Sequence, residues 1–169
     1  GIVVRPARPA ETLQTLDGVL RRTSEADLLI CAGEKPVALA GLMGGEDSKV
    51  AEGSDALLLE VATFKATTIR RTSSRLGLRT DSSARFEKSL DPQLPLAAAG
   101  HFARVLQSIA PEARFPAQVA DVGDGQDPST TILLRCDRVR SALGTPLPAA
   151  GIRRILERLE FGVEPEAGG

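Results

Sequence analysis

The sequence predicts an α+β fold, a mostly antiparallel sheet with packed helices, followed by a small partial α/β segment. Short apolar or alternating runs separated by turn signals fill the first half of the chain, which is typical of antiparallel strands. After Phe64 the apolar spacing becomes i, i+3, i+4, i+7, which is typical of helices packed on one face. A polar, glycine-containing run at 123–130 then precedes one more strand and two helices.

The strands of the first half are separated by residues that favour turns. Asp17-Gly18 predicts a type I′ hairpin, because that turn needs a positive φ at both central residues. Turn residues also follow at 34–36 and 44–47. The predicted strands are 2–5, 12–16, 19–21, Leu28–Ala32, 37–42 and 56–61, with later ones at 115–122 and 131–134.

The helices are predicted at 65–76, Leu94–Ile109, Cys136–Leu143 and 149–159. Gly77 and Gly144 follow two of them, where a left-handed C-terminal cap is expected. Phe102 and Val105 belong to an apolar stripe, which predicts that the helix at Leu94–Ile109 packs against the sheet. His101 lies beside this stripe, so we expect it to have a packing or surface role and not a catalytic one.

We expect three parts: a partial domain at 1–124, a linker at 125–130, and the start of a next, truncated domain at 131–169. The sequence begins without Met and stops shortly after an amphipathic helix. We therefore expect it to be an internal piece of a longer protein.

Composition indicates a soluble globular protein, with 42% hydrophobic and 25% charged residues. No apolar run approaches the roughly 20 residues of a membrane helix, and the first residues lack the order of a secretion signal, so a cytoplasmic location without a membrane partner is expected. Cys31 and Cys136 lack CxxC or CxxH spacing, which predicts free buried thiols and no metal site.

The net charge of −1 argues against a general polyanion binder, so any RNA contact must be local. Residues 65–88 contain such a local surplus of basic side chains. A solvated helix face would give the same pattern. The candidates for RNA contact are Arg70, Arg71, Arg75 and Arg79.

Four polar or small residues are candidates for ligand contact. Glu60 interrupts the apolar run at 57–64, where a carboxylate is costly to bury unless it is hydrogen bonded or faces a cavity; alternatively, strand alternation turns it to water. Gly41 begins GLMGGED, which lacks the ending of a P-loop and is otherwise a turn leaving a strand. Thr80 and Ser82 lie in a polar turn that precedes a helix, with Asp81 or Ser82 as its N-cap.

Four ordered signatures resemble the editing module of the bacterial phenylalanyl-tRNA synthetase beta subunit. They are TLDG at 15–18, PVALAGLMGGEDSKV at 36–50, LLLEVATF at 57–64 and LGLRTDSSARFEKSLDP at 76–92. The resemblance implies hydrolysis of Tyr-tRNA(Phe), with Glu60 accepting the phenolic hydroxyl of the tyrosyl group and Gly41 letting a backbone N–H approach the ligand. It also implies that Thr80 and Ser82 line the pocket, Ser82 standing where the family usually has alanine.

The resemblance implies further partners as well. These are tRNA(Phe) and an alpha subunit, in a heterotetramer whose charging reaction uses ATP and Mg²⁺; no cofactor is expected in this segment. The family's editing site also uses a histidine from upstream of the equivalent of Gly1, whereas His101 is the one histidine here. We therefore expect the segment alone to be inactive. The alternatives are a noncatalytic tRNA-binding or subunit-packing module, and a free-standing deacylase, which would need a complete pocket.

Overall fold

A computed structural model of the chain describes residues 1–116, 119–123 and 129–166. Two compact units are present, Gly1–Pro128 and Ser129–Gly169, and the combination of antiparallel sheets and helices confirms the α+β class. In chain order the elements are β1 Ile2–Pro6, β2 Thr12–Gln14, β3 Leu20–Arg22, β4 Leu28–Ala32, β5 Lys35–Leu39, β6 Met43–Gly44, a 3₁₀ helix Glu46–Ser48, α1 Ala66–Leu76, α2 Asp81–Phe86, α3 Leu94–Ile109, α4 Cys136–Leu143 and α5 Ala149–Arg158.

The main sheet has the strand order β1-β4-β5-β6, and each neighbouring pair is antiparallel. The β2–β3 hairpin forms a second sheet and is inserted in the chain between β1 and β4. Central β4 buries Leu29 and Cys31 completely, because it has a strand on each side and helical residues packed on its face. The core cluster consists of Ala7, Leu13, Leu29, Cys31, Leu39, Leu42, Ile69 and Leu78, with Met43, Phe64, Leu76 and Phe86 packed against it.

The hairpin between β2 and β3 is antiparallel as predicted, but its turn is not type I′. Gly18 has a φ of 78°, whereas Asp17 has no positive φ. The Gly18 N–H donates to the Thr15 carbonyl at 2.8 Å, and the Thr15 N–H donates to the Val19 carbonyl at 3.1 Å. These bonds close a three-residue loop, for which one left-handed residue suffices.

The strand predicted at 56–61 is wrong. Residues 54–65 are irregular, and the side chains of Leu57, Leu58 and Leu59 are exposed. The two edges of the main sheet belong to β1 and β6, so this segment has no strand beside it among the described residues. A strand needs a partner for its N–H and C=O groups, and an apolar run without one stays irregular. The strand predicted at 37–42 is likewise interrupted, because β5 ends at Leu39.

The helix boundaries agree with the sequence within one residue, and Gly77 and Gly144 have φ values of 59° and 65°, which confirms the left-handed caps. The packing predicted for α3 is wrong, since it buries no residue and Phe102 is 41% exposed. An amphipathic pattern shows which face is apolar but not whether a sheet covers it. His101 is exposed and lies 3.4 Å from an Arg104 nitrogen through its Nδ1.

The second unit contains α4 and α5, and Ile152 of α5 is buried. The strand predicted at 131–134 is wrong: these residues are exposed and, within the described part of the unit, have no strand to pair with. Both thiols are free, but Cys136 is half-buried and so only Cys31 is buried as predicted. Burial raises the pKa of the Cys31 thiol.

Two predicted segments fall partly outside the described residues. The described residues of 115–122, which are 115–116 and 119–122, form no strand. Of the linker predicted at 125–130, residues 125–128 lie outside the described part of the chain. None of the described helices has the length and apolarity that crossing a membrane requires.

Candidate functional site

The Gly41 turn leaves β5 at the edge of the hydrophobic core. The Leu42 N–H donates to the Leu39 carbonyl at 3.0 Å, and Gly41 has a φ of 66° at the third position of this tight turn. A Cβ at Gly41 would lie 3.0 Å from Ile69 Cδ1 and 3.2 Å from Phe64 Cδ2. Glycine is therefore required both by the left-handed backbone and by the close approach of two core side chains.

The polar turn before α2 is a capping structure, but the N-cap is Thr80 and not Asp81 or Ser82. Thr80 has the extended backbone of an N-cap, with φ −123° and ψ 166°. Its hydroxyl accepts the Ser83 N–H at 3.0 Å, and the Ser83 hydroxyl accepts the Thr80 N–H at 2.9 Å. This reciprocal capping box starts the helix one or two residues earlier than the N-cap predicted at Asp81 or Ser82.

Two side-chain hydrogen bonds join the start of α2 to the Gly41 turn. The Thr80 hydroxyl donates to the Leu42 carbonyl at 2.9 Å, and the Ser82 hydroxyl donates to the Gly41 carbonyl at 2.9 Å. Both hydrogen bonds join residues that are about forty positions apart in the chain. The structure thus brings together three of the four predicted pocket residues.

An aromatic pair lies beside this junction. The rings of Phe64 and Phe86 have centroids 5.2 Å apart and are tilted by 48°. Phe64 also faces Gly41, as the Cβ distance above shows. The sequence analysis did not single out either ring, although Phe64 ends the apolar run immediately before α1 and Phe86 ends α2. Both rings pack against the hydrophobic core cluster.

Glu60 lies on the irregular segment, four residues before Phe64, so their Cα atoms are at most about 14 Å apart. The residue is exposed overall, yet partial withdrawal of its carboxyl from water raises its pKa above the ordinary value. It makes no hydrogen bond or ion pair with any described residue, Gly41, Thr80 and Ser82 included. Glu60 is therefore an unpartnered acid beside an apolar segment.

A buried carboxylate that the sequence analysis missed holds α1 on the sheet. Asp27 is 1% exposed and accepts hydrogen bonds from the Thr72 hydroxyl and the Ser24 N–H, both at 2.8 Å. The Arg75 guanidinium forms an ion pair with the same carboxylate. Two sequence features could have indicated this contact. Asp27 directly precedes the apolar strand β4, and Thr72 lies three residues after Ile69, on the same face of α1.

The four arginine candidates differ in their surroundings. Arg75 is engaged by Asp27, and Arg79 lies 3.3 Å from a Glu87 carboxylate oxygen. Arg70 and Arg71 are exposed, and within the described ranges neither has an ion-pair partner. Their guanidinium groups are thus available to a polyanion. No cluster of three or more His, Cys, Asp or Glu side chains suited to a metal ion occurs among the residues that the structure describes.

Comparison with known proteins identifies a matching domain family and several similar proteins. Residues 1–111 match the B3/4 domain family. The chain is 43% identical over 168 residues to the phenylalanine–tRNA ligase beta subunit of Geobacter metallireducens, covering 98% of this chain and 21% of that subunit. It is 41% identical over 162 residues to the same-named subunit of Streptococcus pyogenes serotype M28, covering 96% of this chain and 20% of that subunit.

A third relative, the beta subunit of Moorella thermoacetica, is 39% identical over 165 residues, covering 98% of this chain and 20% of the subunit. These matches confirm the resemblance to the bacterial phenylalanyl-tRNA synthetase beta subunit that the four sequence signatures indicate. The chain spans about one fifth of the length of these curated relatives.

Proposed function

Because the chain belongs to the B3/4 domain family, we propose that it forms part of the editing site of a phenylalanine–tRNA ligase beta subunit. The reaction is hydrolysis of the ester between a wrongly attached tyrosine and tRNA(Phe). The observation that carries this proposal is the junction at the Gly41 turn, where Thr80 and Ser82 meet a glycine that packs against Phe64. The similarity to three beta subunits supports it further.

In this proposal Glu60 recognises the tyrosyl group. Tyrosine and phenylalanine differ by one hydroxyl, and a site that bonds this hydroxyl leaves a polar group unpaired when phenylalanine is present. The cost of such an unpaired group is about 1 to 3 kcal/mol. Glu60 has no partner among the described residues, and partial burial raises its pKa, so its carboxyl is free to accept a phenolic O–H.

Gly41 contributes backbone polarity to the same proposed site. Its N–H has no acceptor within the described part of the chain, whereas the neighbouring Leu42 N–H is used by the turn. A free N–H is a hydrogen-bond donor that a ligand oxygen can use, although the space of the missing Cβ is itself filled by Ile69 and Phe64. Thr80 and Ser82 complete the proposed pocket by lining it at the start of α2.

The test is a deacylation assay of the intact parent protein with Tyr-tRNA(Phe) and Phe-tRNA(Phe). We expect faster hydrolysis of the tyrosyl ester and a tenfold to hundredfold smaller preference in Glu60→Ala, as the hydrogen bond estimate above requires. Asp55→Ala serves as the matched control, because Asp55 is an exposed acid nearby in the sequence. An unchanged preference in Glu60→Ala contradicts the role of Glu60, and no hydrolysis by the wild type contradicts the function.

We propose the remaining partners on the same basis. The parent protein binds tRNA(Phe) and an alpha subunit in a cytoplasmic heterotetramer, and ATP and Mg²⁺ serve the charging reaction of that subunit. The boundaries 1–124, 125–130 and 131–169 stay our proposal for the domain division. The 169-residue chain alone is expected not to deacylate, because His101 lies on α3 and no other imidazole is present to act as a base near neutral pH.

A noncatalytic tRNA-binding module is the second candidate, and the exposed guanidinium groups of Arg70 and Arg71 favour it. If they contact phosphates, Arg70→Gln with Arg71→Gln raises the Kd for tRNA(Phe) and makes binding less dependent on salt. A protein that binds tRNA with this salt dependence but hydrolyses neither ester would fit the second candidate and not the first.

A further inference from the structure

Two basic residues, Lys65 and Arg79, directly flank the residues that contact the Gly41 turn, and we call them the flanking cations. Lys65 follows Phe64, whose ring lies 3.2 Å from the position of a Cβ on Gly41. Arg79 precedes Thr80, whose hydroxyl donates to a carbonyl of the same turn at 2.9 Å. Since successive Cα atoms lie about 3.8 Å apart, each cation begins one residue away from a side chain that contacts the turn.

The charges of the flanking cations are available to a ligand. Lys65 is exposed and forms no ion pair with a described residue. The Arg79 side chain is 74% exposed, and its one described contact is with a Glu87 carboxylate oxygen at 3.3 Å. Charge-assisted hydrogen bonds are normally about 2.7–2.9 Å long, so this pair is weak and leaves guanidinium N–H groups free for another acceptor.

The other arginines of this basic region are either engaged or farther from the turn. Arg75 is paired with the buried acid of the α1 network, and the Arg85 guanidinium donates to a backbone carbonyl of its own helix at 2.9 Å. Arg70 and Arg71 are free, but they lie about 8 to 9 Å farther along α1 than Lys65. The flanking cations are therefore the free ones nearest along the chain to the residues that contact the turn.

The proposed substrate carries a negative charge close to its reactive ester. The amino acid is esterified to the ribose of the last nucleotide of the tRNA, and the 5′ oxygen of that ribose carries a phosphodiester. One ribose thus separates the phosphate from the carbonyl that is hydrolysed. A site that receives the ester must also receive this phosphate, and lysine and arginine are the side chains that bind phosphates in proteins.

We infer that the flanking cations, Lys65 and Arg79, bind the phosphate of the terminal nucleotide and thereby hold the ester at the Gly41 turn. This inference rests on the proposed editing function and adds a phosphate subsite to it. It predicts that the terminal phosphate raises kcat/KM for ester hydrolysis, and that the increase depends on these two charges. The increase should shrink with added salt, because both side chains are exposed.

The experiment measures kcat/KM of the intact parent protein for two small esters, tyrosyladenosine esterified on the ribose and its 5′-monophosphate, which differ only in the phosphate. For the wild type, we expect kcat/KM to be about three- to tenfold higher for the 5′-monophosphate, the range of one net hydrogen bond. Lys65→Gln and Arg79→Gln should each remove part of this increase, and the double substitution should remove all of it. None of these variants should change kcat/KM for the unphosphorylated ester.

Two further variants serve as controls at the same ionic strength. Arg114→Gln is the matched control, because Arg114 is an exposed arginine outside the basic region and has no described ion-pair partner. It is expected to leave kcat/KM for both esters unchanged. Arg79→Lys keeps the charge but loses the planar guanidinium, so it should retain part of the increase.

The other outcomes overturn the inference in distinct ways. A wild type that hydrolyses Tyr-tRNA(Phe) but gains nothing from the 5′-phosphate of the small ester contradicts the phosphate subsite and leaves the proposed function standing. An increase that persists in the double substitution assigns the phosphate to other residues. Equal losses for both esters would show that the flanking cations support the pocket and not the phosphate.

The control variant and the wild type decide the remaining cases. A loss in Arg114→Gln as large as that in Arg79→Gln would show that overall charge, and not a local contact, attracts the phosphate. A wild type that does not hydrolyse Tyr-tRNA(Phe) overturns the proposed function, and this inference with it.

Discussion

Asp27 and Glu60 are both carboxylates beside leucine-rich runs, yet they differ in burial and in the donors that surround them. Asp27 is 1% exposed and is surrounded by a hydroxyl, a backbone N–H and a guanidinium. Glu60 lies on an irregular segment and has no described partner, and partial burial raises its pKa. A buried charge is tolerated when donors surround it, and a carboxylate without donors is the one available to an incoming donor.

The difference divides the candidate site into two parts that are held in different ways. The Asp27 network fastens α1 to the sheet, and α1 leads through Gly77 to the capping box and the Gly41 turn. The Glu60 segment is joined to the same place through Phe64, which packs on Gly41 and Phe86. We therefore expect substitutions in the first part to lower stability, and substitution of Glu60 to change recognition with little effect on stability.

The largest expected effect is that of Asp27→Ala. Removing this carboxylate leaves the Thr72 hydroxyl and the Ser24 N–H without their acceptor and Arg75 without its ion-pair partner. We expect the free energy of unfolding to fall by about 3 kcal/mol, at the lower end for broken buried pairs because Arg75 is partly exposed. Urea unfolding of the 169-residue chain followed by circular dichroism measures it.

Asp55→Ala is the control for this substitution, since an exposed acid is expected to change the unfolding free energy by no more than about 0.5 kcal/mol. A loss of less than about 1 kcal/mol in Asp27→Ala would contradict the view that this network holds α1 on the sheet.

A smaller effect is expected for Gly41→Ala. The left-handed φ costs a non-glycine residue about 1 to 2 kcal/mol, and the new methyl group must also displace Ile69 or Phe64. Gly33→Ala is the matched control, because Gly33 has a φ of 60° and open space where the Cβ would be. We expect Gly41→Ala to exceed Gly33→Ala by about 1 kcal/mol or more in the same urea experiment. Equal losses would show that packing at the turn contributes nothing beyond backbone strain.

The sequence predicted those parts of the fold that depend on local chemistry. The helix bounds of α3 and α4 and the glycine caps at Gly77 and Gly144 followed from apolar spacing and from the need for a left-handed residue. Strand β4 followed from an uninterrupted apolar run. The polar turn at Thr80 was recognised as a cap, and only the residue that performs the capping was misplaced.

The errors occurred where structure depends on distant partners. The runs at 56–61 and 131–134 have the composition of strands but no described strand to pair with. The apolar stripe of α3 contains no buried residue. The same limit applies to the candidate site. A sequence shows that Glu60 is an isolated acid, but the hydrogen bonds from Thr80 and Ser82 to the Gly41 turn depend on the tertiary fold.

The smallest expected effect, and the most direct test of the contrast between partnered and unpartnered acids, is the pH dependence of Glu60→Gln. Because burial raises the folded-state pKa of Glu60 above its ordinary value of 4.5, the stability that its protonated form contributes is complete below that value and is lost as pH rises through the raised pKa. Glutamine cannot ionise, so the wild type should lose unfolding free energy relative to Glu60→Gln as pH rises above 4.5 and through the raised pKa.

The pH dependence of the unfolding free energy should have the opposite sign for Glu11→Gln. The hydrogen bond from Arg5 lowers the pKa of Glu11 to about 2, so its contribution is present above the ordinary pKa and is lost as pH falls toward about 2. The two difference curves of unfolding free energy against pH should therefore slope in opposite directions and in different pH ranges. A flat curve for Glu60→Gln would mean that the Glu60 carboxyl is as well solvated in the folded protein as in an unfolded chain, which would contradict the partial burial on which its proposed role depends.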